Sequence, residues 1–595
     1  MQPFLLILLL SAVAPPAPGS ANLAPPGRPA NLAPPVAAAA VAPPVHALRA
    51  HLAALLRTGW RGAEWSVLVV SLDRGDTLFA YDAHRALAPA SNVKLFTAAA
   101  ALYYLGPEFR YTTFLLTNGR IDEGVLAGDV IVYGTGDPTL SDRFYESKVS
   151  VWEIFADSLL ALGVREIRGE VVGDASYFGG RSTGLGWEQR YRNAWYAAPA
   201  SALSLNENVV TLRIRPAAQA GWRPEILLVP GGDGIALVNQ ATTVPRGRAW
   251  INVDRAAYDG PIVVRGRIAR SHPGLWRAVP VADPARFAAA VLREVLERKG
   301  IRVAGGVRSV VQPDQSPVTG RLVFAPAFDD RRPLSVLAVH RSPPLLDILT
   351  VVNQKSHNFY AEQVLRTIGR VALDRGTADG GAHAIRHMLE RETSLDSLAL
   401  VLLDGSGLSP LNRASARTII HLLGYMAASP MADAFWTTLP EAGDPHGLRR
   451  MYRTAAERNL RAKTGTIERV SALSGYVRTA EGERLAFSIL SNKVPSTWKA
   501  KRVEDAIGAR LAAFRRDGPA LSRDLIARAD PPRPAEQKPA RHGAAVAARR
   551  QHVIRRGDTL EGIAQRYGVT LKALRTANPG LNPRRLVPGK IVRVP

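Results

Sequence analysis

Apolar and polar positions change rhythm several times along this chain. Phe4 to Ala14 (FLLILLLSAVA) is one unbroken apolar run of the length of a signal-peptide core, too short to span a bilayer comfortably. From Trp65, WSVLVVSLDRGDTLFAYD sets two short apolar stretches around the turn residues Asp73 to Asp76, which predicts a β-hairpin. ASNVKLFTAAAALYYLG (90–106) then reads as an apolar helix. LLDILTVVNQKSHNFYAEQVLRTIGRVAL (345–373) predicts two helices with a break between them, and LRAKTGTIERVSALSGYVRTAEGERLAFSILSN (460–492) predicts three strands joined by short turns. Between about residues 111 and 323 the pattern becomes short Val/Ile strands punctuated by Gly and Pro, predicting one or two β-rich insertions. Hairpin-rich ends flanking helices give an α/β expectation in which one sheet draws on both ends of the body. The last segment, HVIRRGDTLEGIAQRYGVTLKALRTANPGLNPRRLVPGKIVRVP (552–595), reads strand, helix, helix, strand. There Thr559 caps a helix whose apolar positions are Leu560, Ile563, Ala564 and Tyr567.

These elements sit in a five-part layout. Residues 1–21 form the expected signal peptide, with small residues (PAPGSAN) before a cleavage point near Ala21, although no Lys or Arg precedes the apolar run. Residues 22–45 are Ala/Pro-rich with ANLAPP occurring twice, so they form a tether rather than a core. The body spans 46–516, a Pro/Ala/Arg-rich linker 517–551, and the small module 552–595.

Composition narrows the chemistry. Absence of cysteine excludes disulfides, thiolate catalysis and cysteine-ligated zinc. The net charge of +25 favours an anionic partner, and the tail is a large contributor, with 14 Lys/Arg against 3 Asp/Glu from Pro531 onward. Export favours a wall polymer or membrane surface over nucleic acid as that partner. No later stretch has the length and apolarity of a membrane span, so no transmembrane anchor is expected after signal cleavage.

The helix at 90–106 carries the candidate chemistry. A serine nucleophile needs a base, and neither a G-x-S-x-G elbow nor an H-E-x-x-H pair occurs. His383 and His387 are four apart on a helix but have no third ligand in the pattern, so no metal or cofactor is expected. Ser91 and Lys94 lie one helical turn apart and share a face. Burial and a second cation nearby would depress the lysine until its neutral amine could take the hydroxyl proton. Alone this spacing is weak, because Ser496 and Lys499 repeat it. Lys463-Thr464-Gly465-Thr466 adds a second lysine on a predicted strand, with a glycine that lets a substrate backbone lie alongside. A Ser-x-Asn element occurs at Ser204-Leu205-Asn206 and at Ser356-His357-Asn358. The second lies at the helix break, in the same domain as the other elements, and is preferred.

Ser91-x-x-Lys94, Ser356-x-Asn358 and Lys463-Thr464-Gly465, in that order, resemble the penicillin-recognising serine enzymes. The gap of about 265 residues between the first two elements resembles the class C low-molecular-mass penicillin-binding proteins, the D-alanyl-D-alanine carboxypeptidase/endopeptidases. GTGDPTLSD (134–142), GEVVGDASYF (169–178), APASALSLNEN (198–208), NFYAEQVLR (358–366), DGSGLSPLNR (404–413) and AKTGTIERVSALSGYV (462–477) extend the likeness over about residues 46 to 515. The resemblance implies a transpeptidase-like domain, an antiparallel sheet plus a helical subdomain, interrupted by the insertions. It implies an acyl-enzyme on Ser91 with Lys94 as base, and an oxyanion hole from the backbone N–H groups of Ser91 and Thr466. Ser356 and Lys463 would relay a proton, Asn358 would bind the substrate amide, and Thr464 and Thr466 the terminal carboxylate. Asp137 would lie near a substrate amine. Peptidoglycan stem peptides are the implied substrate and β-lactams the implied covalent inhibitors. His357 stands where the family more often has Asp or Asn, and is expected to be a spacer pointing away. Ser406, with no base in reach by sequence, reads as part of a capping loop. A β-lactamase or esterase on the same scaffold, or a non-catalytic wall-binding protein, are the alternatives.

Gly557-Asp558-Thr559-Leu560, Tyr567-Gly568-Val569, Asn578-Pro579 and Pro588-Gly589-Lys590 together resemble a LysM domain, a small α+β module that binds N-acetylglucosamine-containing glycans. The implied groove uses Gly557, Asp558 and Thr559 on one side and Asn578, Pro579 and Leu586 on the other. The implied location is the periplasm or cell wall.

Overall fold

Strand β1 (Glu64–Ser71) is buried on both faces, as its unbroken apolar run requires. In this computed structural model it lies inside an antiparallel sheet with β2 (Thr77–Tyr81), β3 (Arg461–Ile467), β4 (Val470–Arg478) and β5 (Arg484–Asn492), in the order β3-β4-β5-β1-β2. The pairing of β1 with β5 runs from Glu64 opposite Asn492 to Ser71 opposite Leu485, so the sheet joins the two ends of the body as expected. Alternation along β1 sets the layers. Val67 and Val69 pack with Leu48 and Leu52 of helix α1 (Pro43–Arg57) and with Ile507 and Leu511 of the helix Thr497–Ala512. Leu68 and Val70 face the other way, into the core of a helical layer. That layer holds α2 (Val93–Tyr104), α3 (Leu345–Gln354), α4 (Asn358–Leu373), α5 (Ala378–Thr393) and α6 (Ala416–Ala428).

The structure describes residues 43–57, 62–231, 234–318, 334–393 and 400–516, together with 550–554, 560, 563, 564, 571–578 and 591–594 of the tail. The expected signal peptide, nearly all of both linkers, and Gly557, Asp558, Thr559, Tyr567, Pro579 and Leu586 lie outside these residues.

The insertion is β-rich but carries two helices, Ser150–Ala161 and Pro284–Arg298, whose apolar faces share one core with its strands. Its main sheet orders Val307–Val310, Val171–Asp174, Val130–Gly134, Thr112–Thr117 and Ser335–Arg341. Because Ser335–Arg341 pairs antiparallel with Thr112–Thr117, the insertion closes near residue 341 and the expected boundary at about 323 falls short. It also holds two three-stranded sheets, one of Val209–Arg215, Glu225–Val229 and Leu275–Pro280, the other of Leu237–Val244, Trp250–Asp254 and Ile262–Ala269, and a four-stranded sheet of the short strands Arg302–Val303, Glu166–Ile167, Val125–Ala127 and Arg120–Asp122.

Two compact units divide the chain near residue 522. In the second, Arg550–Val553 pairs antiparallel with Ile591–Val594, and Ile554, Leu560, Ile563, Ala564, Leu574, Val592 and Val594 make a small core. The strand begins at Arg550, two residues ahead of the expected module boundary.

Candidate active site

Ser91 stands in a single 3-10 turn, Ala90–Asn92, that runs directly into α2. The turn is tight: Ala90 has φ +46°, a left-handed conformation uncommon for a residue with a side chain. Two glycines press on it from opposite motifs. A Cβ on Gly407 (φ +80°) would lie 1.9 Å from the Ala90 carbonyl oxygen, and one on Gly465 would lie 2.8 Å from that of Pro89. Asn92 then ties the turn to β3, donating from Nδ2 to the Lys463 carbonyl at 2.9 Å.

Lys94 is fully buried, while Ser91 is partly exposed. Its Nζ lies 3.1 Å from Ser91 Oγ, 2.8 Å from Asn358 Oδ1 and 2.5 Å from the Ser406 carbonyl oxygen. Burial pushes the amine down to about 7, against the opposing pull of Asp404 and Glu362. A neutral amine has two N–H groups. With those given to Asn358 and Ser406, the lone pair is left for the Ser91 hydroxyl.

The second lysine is set one strand face away. Lys463 is also fully buried, and its Nζ donates to Ser356 Oγ at 2.8 Å and to the Thr464 carbonyl at 2.9 Å. Burial first, then the neighbouring Lys94 charge, holds it well below the usual ammonium range. Ser356 lies in the expected break between α3 and α4, at φ +54°. Asn358 opens α4 and donates from Nδ2 to the Tyr196 carbonyl at 2.9 Å, the bond this amide makes as a donor among the described residues. Thr464 and Thr466 share a strand face by the period of two, the first half-buried and the second exposed. The three motifs thus come together around two buried amines.

Other expected positions fall elsewhere. Asp137 is buried at 1 % exposure, its Oδ1 accepting from the Thr139 amide at 2.8 Å and from Thr139 Oγ1 at 2.7 Å. This closes a turn, while Oδ2, the atom left for the expected substrate amine, has no partner among the described residues, and burial raises the carboxyl to about 6. Ser204 is buried and donates to the Ser201 carbonyl, so the passed-over Ser-x-Asn element is structural. Ser496 caps a helix by accepting from the Lys499 amide at 3.4 Å. In the tail, Asn578 donates to the carbonyls of Leu574 and Arg593 and accepts from the Arg593 amide. Both of its N–H groups are therefore engaged within the module.

Some contributors were missed. Glu362 sits one helical turn after Asn358, fully buried, and its Oε1 accepts from the Gly405 and Ser406 amides at 2.9 and 3.0 Å. This holds the loop whose Ser406 carbonyl touches Lys94. Arg366 supplies its counter-charge at 3.0 Å. Asp404 braces the same loop, accepting from the Gly407 and Ser409 amides and from Trp187 Nε1 of the insertion. The signal for Glu362 was its i+4 spacing from Asn358 in NFYAEQ; the loop's role is carried by a backbone carbonyl, which no residue identity reveals.

Residues 48–514 match the D-Ala-D-Ala carboxypeptidase 3 (S13) family, and residues 552–595 match the LysM domain. The chain is 34% identical over 482 residues to a D-alanyl-D-alanine carboxypeptidase of Actinomadura sp. (strain R39), covering 78% of this chain and 85% of that one. It is 27% identical over 432 residues to the D-alanyl-D-alanine carboxypeptidase DacB of Haemophilus influenzae, covering 72% and 85%. The fold is similar to the crystal structure of penicillin binding protein 4 (dacB) from the same organism, with a TM-score of 0.63 at 26% identity, covering 75% of this chain and 94% of that one.

Proposed function

Because the chain belongs to the D-Ala-D-Ala carboxypeptidase 3 (S13) family, we propose that it cleaves peptidoglycan stem peptides, as carboxypeptidase and endopeptidase, through an acyl-enzyme on Ser91. It is a serine-type D-Ala-D-Ala carboxypeptidase of the penicillin-binding class. The observation that carries the mechanism is the buried Lys94 amine, pushed down to about 7, 3.1 Å from Ser91 Oγ. As Ser91 Oγ bonds to the carbonyl carbon between two D-alanines, its proton passes to Lys94 Nζ. The backbone N–H groups of Ser91 and Thr466 take the negative charge on the carbonyl oxygen. When the C–N bond breaks, Ser356 and Lys463 relay a proton to the leaving amine, so the net transfer is from the Ser91 hydroxyl to the departing D-alanine. Asn358 holds the substrate amide, and Thr464 and Thr466 hold the terminal carboxylate. Water then attacks the ester carbonyl and Lys94 takes its proton; as the acyl C–O bond breaks, Lys94 returns that proton to Ser91 Oγ, regenerating the hydroxyl and the neutral amine.

A penicillin opens its ring by the same attack, but its leaving group stays tethered and blocks water. Incubation with labelled penicillin and peptide mass mapping should therefore place a stable adduct on Ser91. Protein that never gains the penicillin mass, or gains it on Ser406 or Ser496, would overturn the assignment.

This substrate lies outside the cytoplasmic membrane, so the run Phe4–Ala14 acts as an export signal cleaved near Ala21. Among the described residues no helix is long and apolar enough to cross a membrane. The LysM module keeps the enzyme on the wall, through a groove that includes Gly557, Asp558, Thr559, Asn578, Pro579 and Leu586. Deleting residues from 518 onward should leave hydrolysis of a soluble D-Ala-D-Ala peptide nearly unchanged and reduce action on intact sacculi. Tethering raises the local concentration of substrate, to about millimolar at most, which the truncated enzyme loses. Sacculus pull-down separates glycan recognition, which survives salt, from polycation attraction, which is screened beyond about 8 Å at physiological ionic strength. Equal pull-down of both forms at low and high salt would show that the tail is not the anchor.

A further inference from the structure

The side chain of His357 points away from the two lysines, but it is not idle. It is 4 % exposed, and its Nε2 lies 3.0 Å from Glu207 Oε2, a residue of the insertion 150 positions earlier in the chain. The imidazole is held between rings, with the Tyr360 centroid 4.8 Å away edge-on and that of Trp195 5.7 Å away. Its Nδ1 is buried with no hydrogen-bond partner among the described residues. Glu207 is therefore the polar contact that fixes how this ring turns.

Glu207 is placed with unusual care. Asn206, Glu207 and Asn208 have successive φ values of +49°, +58° and +56°. Asparagine tolerates this region because its short amide bonds locally; glutamate does not share that advantage. Here both flanking amides are locked: Asn206 Nδ2 donates to the Val209 carbonyl and Asn208 Nδ2 to the Pro199 carbonyl. Lys148 adds a bond to Asn206 Oδ1 at 2.8 Å. The result aims one carboxylate at α4. There Glu207 receives Arg143 Nε at 2.5 Å, His357 at 3.0 Å and the Tyr360 hydroxyl at 3.4 Å. Burial alone would raise this carboxyl, yet the bonds and charge from His357 and Arg143 hold it down at about 2.

His357 is the middle residue of the loop it sits in. Its backbone joins Ser356, whose Oγ meets Lys463, to Asn358, whose Oδ1 meets Lys94. Ser356 is itself left-handed at φ +54°, a conformation that persists only where its surroundings over-determine it. Lys463 holds one side of the loop and the His357 ring, by way of Glu207, holds the other.

We propose that Glu207 is a positioning residue for the Ser91 reaction: from the insertion it grips His357 and thereby sets where Ser356 and Asn358 stand relative to the two lysines. The inserted region is then a working part of the catalytic centre, and its left-handed turn is the contact through which it acts. This inference rests on the function proposed above.

The test uses full-length protein and two readouts, the rate of Ser91 acylation by labelled penicillin and the release of D-alanine from a small peptide. Glu207→Ala should lower kcat by about 10- to 100-fold with KM within about threefold, as expected for a misplaced group. Glu207→Gln keeps the reach: with its amide oxygen accepting from Arg143, its NH2 faces His357 Nε2, which accepts in the Nδ1–H tautomer, and the rate should recover to within about threefold of wild type. Glu207→Ala combined with His357→Ala should be no slower than the slower single variant, since both break one link. Glu207→Asp keeps a charge for Arg143 but shortens the reach to His357, and supplies the same kcat loss if Glu207→Ala fails to fold. Folded Glu207→Ala or Glu207→Asp at wild-type rate, a Gln variant as slow as Ala, or multiplying losses in the double variant would overturn the proposal. Wild-type protein that forms no Ser91 adduct would instead overturn the underlying reading.

Discussion

Replacing Lys94 by alanine is expected to slow acylation of Ser91 by about 10²–10⁴-fold, the usual contribution of a positioned general base. Arginine at this position should fail equally, because a guanidinium does not give up its proton near neutral pH. In the wild type, the amine held at about 7 must be neutral to act. Acylation should rise about tenfold per pH unit below that value and level off above it. Stability should move in the same direction. Between about 7 and the ordinary 10.5, the unfolded chain binds a proton at Lys94 that the folded chain does not, so stability rises with pH across that window. Below it the full cost of burying the lysine is present. The alanine variant lacks this titration, so its melting temperature should vary less steeply with pH than that of wild type. Stopped-flow acylation and thermal melts across pH 5–10 check both. Normal acylation by either Lys94 variant would place the base elsewhere.

The second large effect comes from a methyl group. Gly407→Ala should lower acylation by about 10²-fold or more, the penalty associated with displacing reacting groups by roughly 1 Å. The added Cβ would fall 1.9 Å from the Ala90 carbonyl oxygen and 2.9 Å from the Ser91 nitrogen. Both neighbours are backbone, so relief requires moving the nucleophile's own turn. The φ of +80° at Gly407 adds strain that alanine does not relieve. Labelled-penicillin kinetics on folded variant protein decide it, and a rate within twofold of wild type would show the turn to be compliant.

Much of the sheet could be read in advance. The apolar run of β1 and the three hairpin-linked strands at 460–492 signalled themselves, and the helix break at Ser356 was visible because Lys355-Ser356-His357 interrupts the apolar spacing. Side chains with distinctive chemistry, Ser91, Lys94, Ser356, Asn358 and Lys463, were found by order and spacing, and the fold brings them within hydrogen-bond reach. What could not be read was long-range and backbone-borne. Ser406 acts through its carbonyl, and Glu207 reaches His357 from a separate part of the chain through a left-handed turn. The segment around Asp137 carries a likeness, but the bonds of its Oδ1 to Thr139, which bury the carboxylate, have no signature in the sequence.

The pairing of β1 with β5 has a consequence in time. Ser71 Oγ donates to Glu483, 412 residues further along the chain. At roughly 5–20 residues per second of synthesis, tens of seconds separate the first hairpin from the strand that flanks it. Throughout that interval the edge of β1 is unpaired, an aggregation hazard that must be shielded. The insertion, whose strands and helices close among themselves between Thr112 and Arg341, is complete well before then. Lys463 and the strand that carries it arrive almost last. A chain halted before residue 460 therefore holds Ser91 and Lys94 but neither the second lysine nor a closed sheet, so hydrolytic activity is switched on only once the body is essentially whole.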